Sequence, residues 1–324
     1  MNRRMRSTIT GILIGAACLA VASTAGAELL SGTNRSEHLR GTDDRDTIKA
    51  RGGADRIRAF GGDDIVYGGR GGDIASGGDG NDDLSGGKGV RRDRLYGNVG
   101  NDRARGGSGN DLVSGGVGND RLFGNAGDDT VDGFFGNDLL VGGAGNDGLT
   151  GAPGGDSAFA GPGLDRVTGG EDGDRVHGGD DADTVIGNAG NDTVSGGRGD
   201  DQLFGDTGGD KLFGNAGVDV LWGGVGNDDL WALAAADAAL PGVDTIQAGA
   251  GSDKIHTRDG EPDMVFCGVG AKDSAQLDTV DVIVDATPSR PKGSCETVNR
   301  AKPKPNQDAA ENKTESPGQD MLQG

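Results

Sequence analysis

An all-β fold, a right-handed parallel β-roll wound as a solenoid, is what this sequence predicts, and three observations predict it. A nine-residue unit recurs almost without a break from Gly32 to Trp231. In each unit one apolar residue stands two positions after an acidic residue. Glycine supplies 67 of the 324 residues, while aromatic residues make up only 4%. One apolar residue in nine cannot line a helix face. It can be the inward side chain of a three-residue strand, with the six preceding residues forming a Gly-rich turn. Two such strands complete a coil of 18 residues, and coils stack at about 4.8 Å, so ~11 coils make a rod on the order of 50 Å long.

Composition removes several alternatives. Glycine is too sparse for collagen, which needs it at every third position. A net charge of −21, from 31 basic and 52 acidic residues, repels phosphate and argues against a nucleic-acid partner.

Along the chain, the first element is an export signal over residues 1–27. Arg3, Arg4 and Arg6 precede the apolar run Ile9 to Ala22, and Ala25-Gly26-Ala27 supplies a small-residue cleavage site. The run is short for a membrane span, no second span follows, and the mature chain is expected to carry none. The same features predict a secreted, extracellular protein, with possible association at the cell surface. Cys18 leaves with the signal, and Cys267 and Cys295 remain as an even pair in an oxidising compartment, where they are expected to form a disulfide.

The second element, residues 28–231, is the roll. Consecutive units read Gly68-Gly69-Arg70-Gly71-Gly72-Asp73-Ile74-Ala75-Ser76 and Gly77-Gly78-Asp79-Gly80-Asn81-Asp82-Asp83-Leu84-Ser85, which is the pattern G-G-x-G-x-D-x-U-x. Over about 22 units the sixth position is Asp in all but the first, where Glu37 stands, and the eighth is apolar. Two residues are added near Val90-Arg91, yet Asp93 and Leu95 resume the phase. Winding at two units per coil places Asp55, Asp73, Asp93, Asp111 and Asp129 on one edge, and Asp46, Asp64, Asp82, Asp102 and Asp120 on the other. Like charges about 5 Å apart repel by roughly 1 kcal/mol in water and about 3 at an effective dielectric of 20, so a cation is required. A hard divalent ion suits carboxylate and carbonyl oxygens. Calcium accepts them with loose geometry, magnesium prefers a tight octahedron, and zinc would want His or thiolate, of which the chain offers only the scattered His38, His177 and His256.

The nonapeptide resembles that of RTX, or hemolysin-type, calcium-binding proteins, over residues 32–231. The resemblance implies a parallel β-roll in which multiple calcium ions sit between same-edge turns. Carbonyls near the Gly positions and the Asp carboxylates of two adjacent coils would hold them. It marks as candidate metal ligands Asp46, Asp55, Asp64, Asp73, Asp82, Asp93, Asp102, Asp111, Asp120, Asp129 and Asp138. The set continues through Asp147, Asp156, Asp165, Asp174, Asp183, Asp192, Asp201, Asp210, Asp219 and Asp228. Arg35, Asp44, Asp172 and Asp181 replace the fourth-position Gly, which puts the sites at residues 32–46 and 169–183 in question. Family toxins and lipases typically carry a C-terminal export signal, whereas this chain begins with an N-terminal one, which weakens a toxin analogy.

The third element, residues 232–298, holds looser copies such as Asp244-Thr245-Ile246, Asp253-Lys254-Ile255 and Asp263-Met264-Val265, and a disulfide-bearing cap. Two readings of residues 232–240 stand side by side, an Ala-rich cap helix closed by Pro241-Gly242 and a surface loop. Residues 299–324, rich in Lys, Pro, Asn and Gln, are expected to be disordered.

No motif for catalysis stands out, and the repeats leave no room for an enzyme domain. The expected role is that of a secreted, non-enzymatic calcium-binding protein. The alternative is a cell-surface adhesin or interaction module with a cell-envelope or glycan partner; a lytic toxin fits less well. The outward Phe204 and Trp222 should stack on one sheet and Phe213 and Trp231 on the other, either as a binding surface or beneath the cap.

Overall fold

The computed structural model describes residues 26–232, 242–270, 272–284 and 294–301. Nearly all of the expected export signal, residues 233–240 of the expected cap segment, and residues 302–324 lie outside the described residues; Asn299 and Arg300, expected to open a disordered tail, instead close the last strand, Thr297–Arg300, beside Gln276 and Leu277. The rest is a parallel β-solenoid of about 14 turns, and among the described residues there is no helix.

Two 15-stranded sheets face each other. One starts with Leu29–Ser31 and continues through Thr47–Gly52 and Ile65–Arg70; the other starts with His38–Arg40 and continues through Arg56–Gly61 and Ile74–Asp79. The chain alternates between them, and every pairing is parallel, as in Thr47 with Ile65 and Ile48 with Val66. The two added residues near Val90 loop out, leaving Val90 exposed, and register resumes with Ile74 beside Arg94.

The expected strand length is corrected. Strands mostly span six residues rather than three, because the backbone hydrogen bonding continues through the two glycines of the following unit, as in Ile65–Arg70. Alternation along such a strand turns the eighth and first positions inward together, Val66 with Gly68, and Asp64 just before the strand is buried as well. The sixth-position carboxylates therefore run along both edges with their side chains turned inward. They sit in the walls of the interior beside the apolar file of Ile48, Val66 and Leu84 on one side and Ile57, Ala75 and Leu95 on the other.

The sheets do not stop at Trp231. Thr245–Gly251, Lys254–Thr257, Met264–Phe266 and Ser274–Leu277 add further strands, each opened by an Asp and centred on an apolar residue. Cys267 and Cys295 are joined in a disulfide, with a Cα–Cα distance of 5.2 Å, and both are buried at the C-terminal end of the apolar file.

Candidate metal centres

Each turn reverses the chain within a few residues, which requires backbone angles that glycine adopts readily. Gly69 and Gly71 have φ of 109° and 147°, and a Cβ on Gly71 would strike the carbonyl of Gly53 in the coil below. The turn ends at Asp73, whose side chain folds inward. The Asp55 amide donates to Asp73 Oδ1 at 2.8 Å, and the Asp73 amide donates to Asp93 Oδ1 at 2.7 Å. On the other edge Asp64 donates to Asp82 Oδ1 at 2.8 Å and Asp82 to Asp102 Oδ1 at 2.8 Å. The two files of acids expected from the repeat are thus brought together as two continuous ladders, and all 21 candidate aspartates stand in them, buried.

The second oxygen of each carboxylate is the telling one. Oδ2 has no hydrogen-bond partner among the described residues at every repeat aspartate from Asp55 to Asp210, and again at Asp228, Asp253, Asp263 and Asp273. A buried carboxylate oxygen left unpaired costs about 1–3 kcal/mol or more, and here the cost recurs coil after coil. These oxygens share a common setting. A Cβ built on Gly68 would lie 2.6 Å from Asp73 Oδ2 and 2.7 Å from the carbonyl oxygen of Gly86, one coil on. The first-position glycine therefore leaves open a cradle edged by a carboxylate and a carbonyl. Ala50, Ala59 and Ala160 place a methyl at this position, so the turns ending at Asp55, Asp64 and Asp165 have a narrower one.

Electrostatics favour discharge of the ladders. Burial pushes Asp102 up to about 7, countered by the hydrogen bond from the Asp82 amide and reinforced by the charges of Asp82 and Asp120. The same order of causes raises Asp64 to about 7 and Asp201 to about 8. At the C-terminal end burial, then the charges of Asp259, Asp244 and Asp281, push Asp263 up to about 10. Either a proton or a cation relieves this strain on the carboxylates.

The two stretches with replaced glycines behave differently. At the first, Asp46 Oδ2 accepts from the Thr42 amide at 2.6 Å and from Thr42 Oγ1 at 3.1 Å, while Glu37 accepts from the Thr33 amide and hydroxyl at 2.6 and 2.9 Å. These acids are satisfied within their own turn. At the second, Asp172 and Asp181 keep positive φ of 74° and 77°, and Asp174 and Asp183 retain an unpartnered Oδ2 like their neighbours.

The structure also adds residues to the ladders. Asp219 donates to Asp244 Oδ1 at 2.7 Å, Asp228 to Asp253 at 2.9 Å, Asp244 to Asp263 at 3.1 Å and Asp253 to Asp273 at 3.0 Å. Asp281 and Glu296 end the two files. The Asp-x-apolar triplet, which survives after the glycine pairs are lost, is the signal that marks them. A second ladder runs alongside in the opposite sense through fifth-position amides: Asn101 donates to Asn81 Oδ1 at 2.8 Å and Asn119 to Asn101 at 2.7 Å.

Among the described residues no three His, Cys, Asp or Glu side chains converge as a metal cluster. A cation here must therefore draw on backbone carbonyls beside the carboxylates, an all-oxygen donor set that fits a hard ion of flexible coordination. The expected aromatic pairs also form. Phe204 stacks on Trp222 at 4.4 Å and Phe213 on Trp231 at 4.6 Å, and His256 extends the latter stack at 4.8 Å.

The sequence model of the RTX calcium-binding nonapeptide repeat (4 copies) matches residues 31–59, 58–91, 89–122, 114–149, 150–185, 168–203, 177–212, 204–238 and 239–261. Among curated proteins, none matches the chain significantly.

Proposed function

The chain belongs to the RTX calcium-binding nonapeptide repeat family, and from that premise we propose that it is a secreted, non-enzymatic protein whose roll is completed by several calcium ions. One observation carries this reading: Oδ2, without a hydrogen-bond partner among the described residues, recurs at every repeat aspartate from Asp55 to Asp210, each beside the opening left by a first-position residue that is nearly always glycine. Calcium bound there would supply positive charge to oxygens that otherwise repel one another across successive coils.

The roles of this chain's own residues follow from their places. The sixth-position aspartates, Asp55 through Asp228, supply the carboxylate oxygens. First-position carbonyls, such as that of Gly86, supply the neutral donors. The Oδ1 atoms remain committed to the amide one coil earlier, which fixes the carboxylate plane and aims Oδ2 at the opening. Asp46 is assigned a weaker part, since Thr42 already satisfies its Oδ2. The segment 1–27 serves as the export signal, and the chain beyond the last strand, Thr297–Arg300, as a tail.

The test is far-UV circular dichroism at pH 8, with and without a chelator. Calcium should produce the β spectrum and its removal should abolish most of it. An unchanged spectrum in chelator at that pH would remove calcium from the account.

A further inference from the structure

The outer face of the second sheet carries a strip of cations at its N-terminal end that the calcium account does not use. His38 lies beside Arg56 and Arg40 beside Arg58, in register on adjacent strands. Two coils on, Arg94 follows Ile74 in the file of Arg56, and Tyr96 follows Ser76 in the file of Arg58. Arg40, Arg56, Arg58 and Arg94 are exposed, and none has an ion-pair partner among the described residues. Arg40 and Arg58 set like charges directly opposite on neighbouring strands, which is destabilising. Such an arrangement in a chain of net charge −21 asks for an anion that comes from outside.

Phe60 adds an exposed ring to the strip. It follows Arg56 and Arg58 on the outward row of the same strand, with φ of 84° at a position where Gly69 and Gly78 stand in the next units. Its side chain is 41% exposed. Phe60 shares this left-handed conformation with other second-position residues such as Arg51 and Phe134, and the exposed ring gains little burial in return. The strand thus presents a phenyl ring and two guanidinium groups together.

We propose that this strip binds an extended anionic polysaccharide running along the rod axis. Coils repeat at about 4.8 Å, close to the length of one pyranose unit in an extended glycan, so successive sugars meet successive rows, with Arg side chains on the first two coils and again at Arg94. Guanidinium forks pair with carboxylate or sulfate groups, and Phe60 and Tyr96 offer flat faces to the rings. The strip is narrow. The first carboxylate on its outward rows is Asp132, while Asp43 and Asp44 line a flanking turn and Asp79 ends its strand beside Gly61. A single chain fits between those acids, whereas a broad anionic bilayer would press against them.

The test uses the whole secreted chain in millimolar calcium, with heparin and oligogalacturonate fragments of defined length titrated by calorimetry. Circular dichroism in the same buffer reports the roll separately, so a failure of the calcium account is distinguishable from a failure of this one. Affinity should rise with length to roughly four or five sugars and then level off. The R56Q/R58Q double variant should lose about tenfold or more. Phe60→Gly should weaken binding several-fold while raising the melting temperature, because it relieves the left-handed backbone. Unchanged affinity in R56Q/R58Q would overturn the proposal, as it would mean that the glycan is bridged by calcium at the acidic turns. So would capture by phosphatidylglycerol vesicles with no binding of the fragments, which would make the face a lipid surface.

Discussion

The backbone amide of Asp102 donates to Oδ1 of Asp120 at 2.7 Å across 18 residues of sequence, while Oδ2 of the same Asp120 has no partner among the described residues. One oxygen builds the fold and the other is left over. This division of labour within a single carboxylate, repeated along both edges, makes the two oxygens separable by mutation.

Asp120→Asn keeps an acceptor for the Asp102 amide and removes one charge. It should make the roll more stable in chelator and lower the calcium stoichiometry. Asp120→Ala removes the acceptor as well and should destabilise the calcium-loaded roll by about 1–3 kcal/mol. Chemical denaturation of both variants, with and without calcium, checks the contrast.

Protons should substitute for calcium. Burial first, then neighbouring charges, raises Asp64, Asp102 and Asp129 from 3.8 to about 7. A carboxyl raised on folding contributes stability that is full below its unfolded value and lost as pH climbs through its folded value. The chelated protein should therefore hold β structure near pH 4 and lose it as pH rises through about 7. A pH series of circular dichroism spectra in chelator tests this, and greater order at pH 8 than at pH 5 would contradict it.

Two glycines of one turn should respond differently to alanine. A methyl at Gly68 enters the cradle beside Asp73 Oδ2 and the Gly86 carbonyl. Because Ala50 and Ala59 are accommodated at the same position, Gly68→Ala should fold in calcium but bind it less tightly. Gly71→Ala puts a methyl into the backbone carbonyl of Gly53 at a φ of 147°, and should disrupt the coil at any calcium concentration. Calcium titrations monitored by β signal separate the two.

Reduction of the Cys267–Cys295 bond reopens a loop spanning 28 residues. In the chain-entropy picture this removes about 3–4 kcal/mol, concentrated at the C-terminal coils. A Cys267→Ser/Cys295→Ser variant should show lower melting temperature and faster amide exchange over residues 244–284 than over residues 100–200.

Much of this was legible in the sequence, because the roll is one short rule repeated. The period of nine, the Asp two positions before each apolar residue and the glycine pairs specify both sheets, both acid files and the stacking of Phe204 on Trp222. Strand length was not legible. Glycine pairs read as turn, and only the hydrogen bonding of the neighbouring coil draws Gly68 and Gly69 into a strand. The inward burial of the aspartates was hidden for a related reason, since charged residues are expected outside until the amide that receives each Oδ1 is seen. The chemistry of the turn at Asp46 was obscured because the replaced fourth-position glycine, Asp44, drew the reading, while the residue that satisfies Asp46 is Thr42, at a second position. Asp273 and Asp281 were lost from view once irregular insertions broke the period.

The most direct measurement is a crystal structure of residues 28–324 grown in millimolar calcium, with anomalous scattering used to locate the ions. The account predicts peaks in two rows along the edges, each in contact with Oδ2 of a repeat aspartate such as Asp120 and with a first-position carbonyl. Rows of aspartates with no anomalous peak beside Oδ2, in a roll that is nonetheless fully wound, would contradict it.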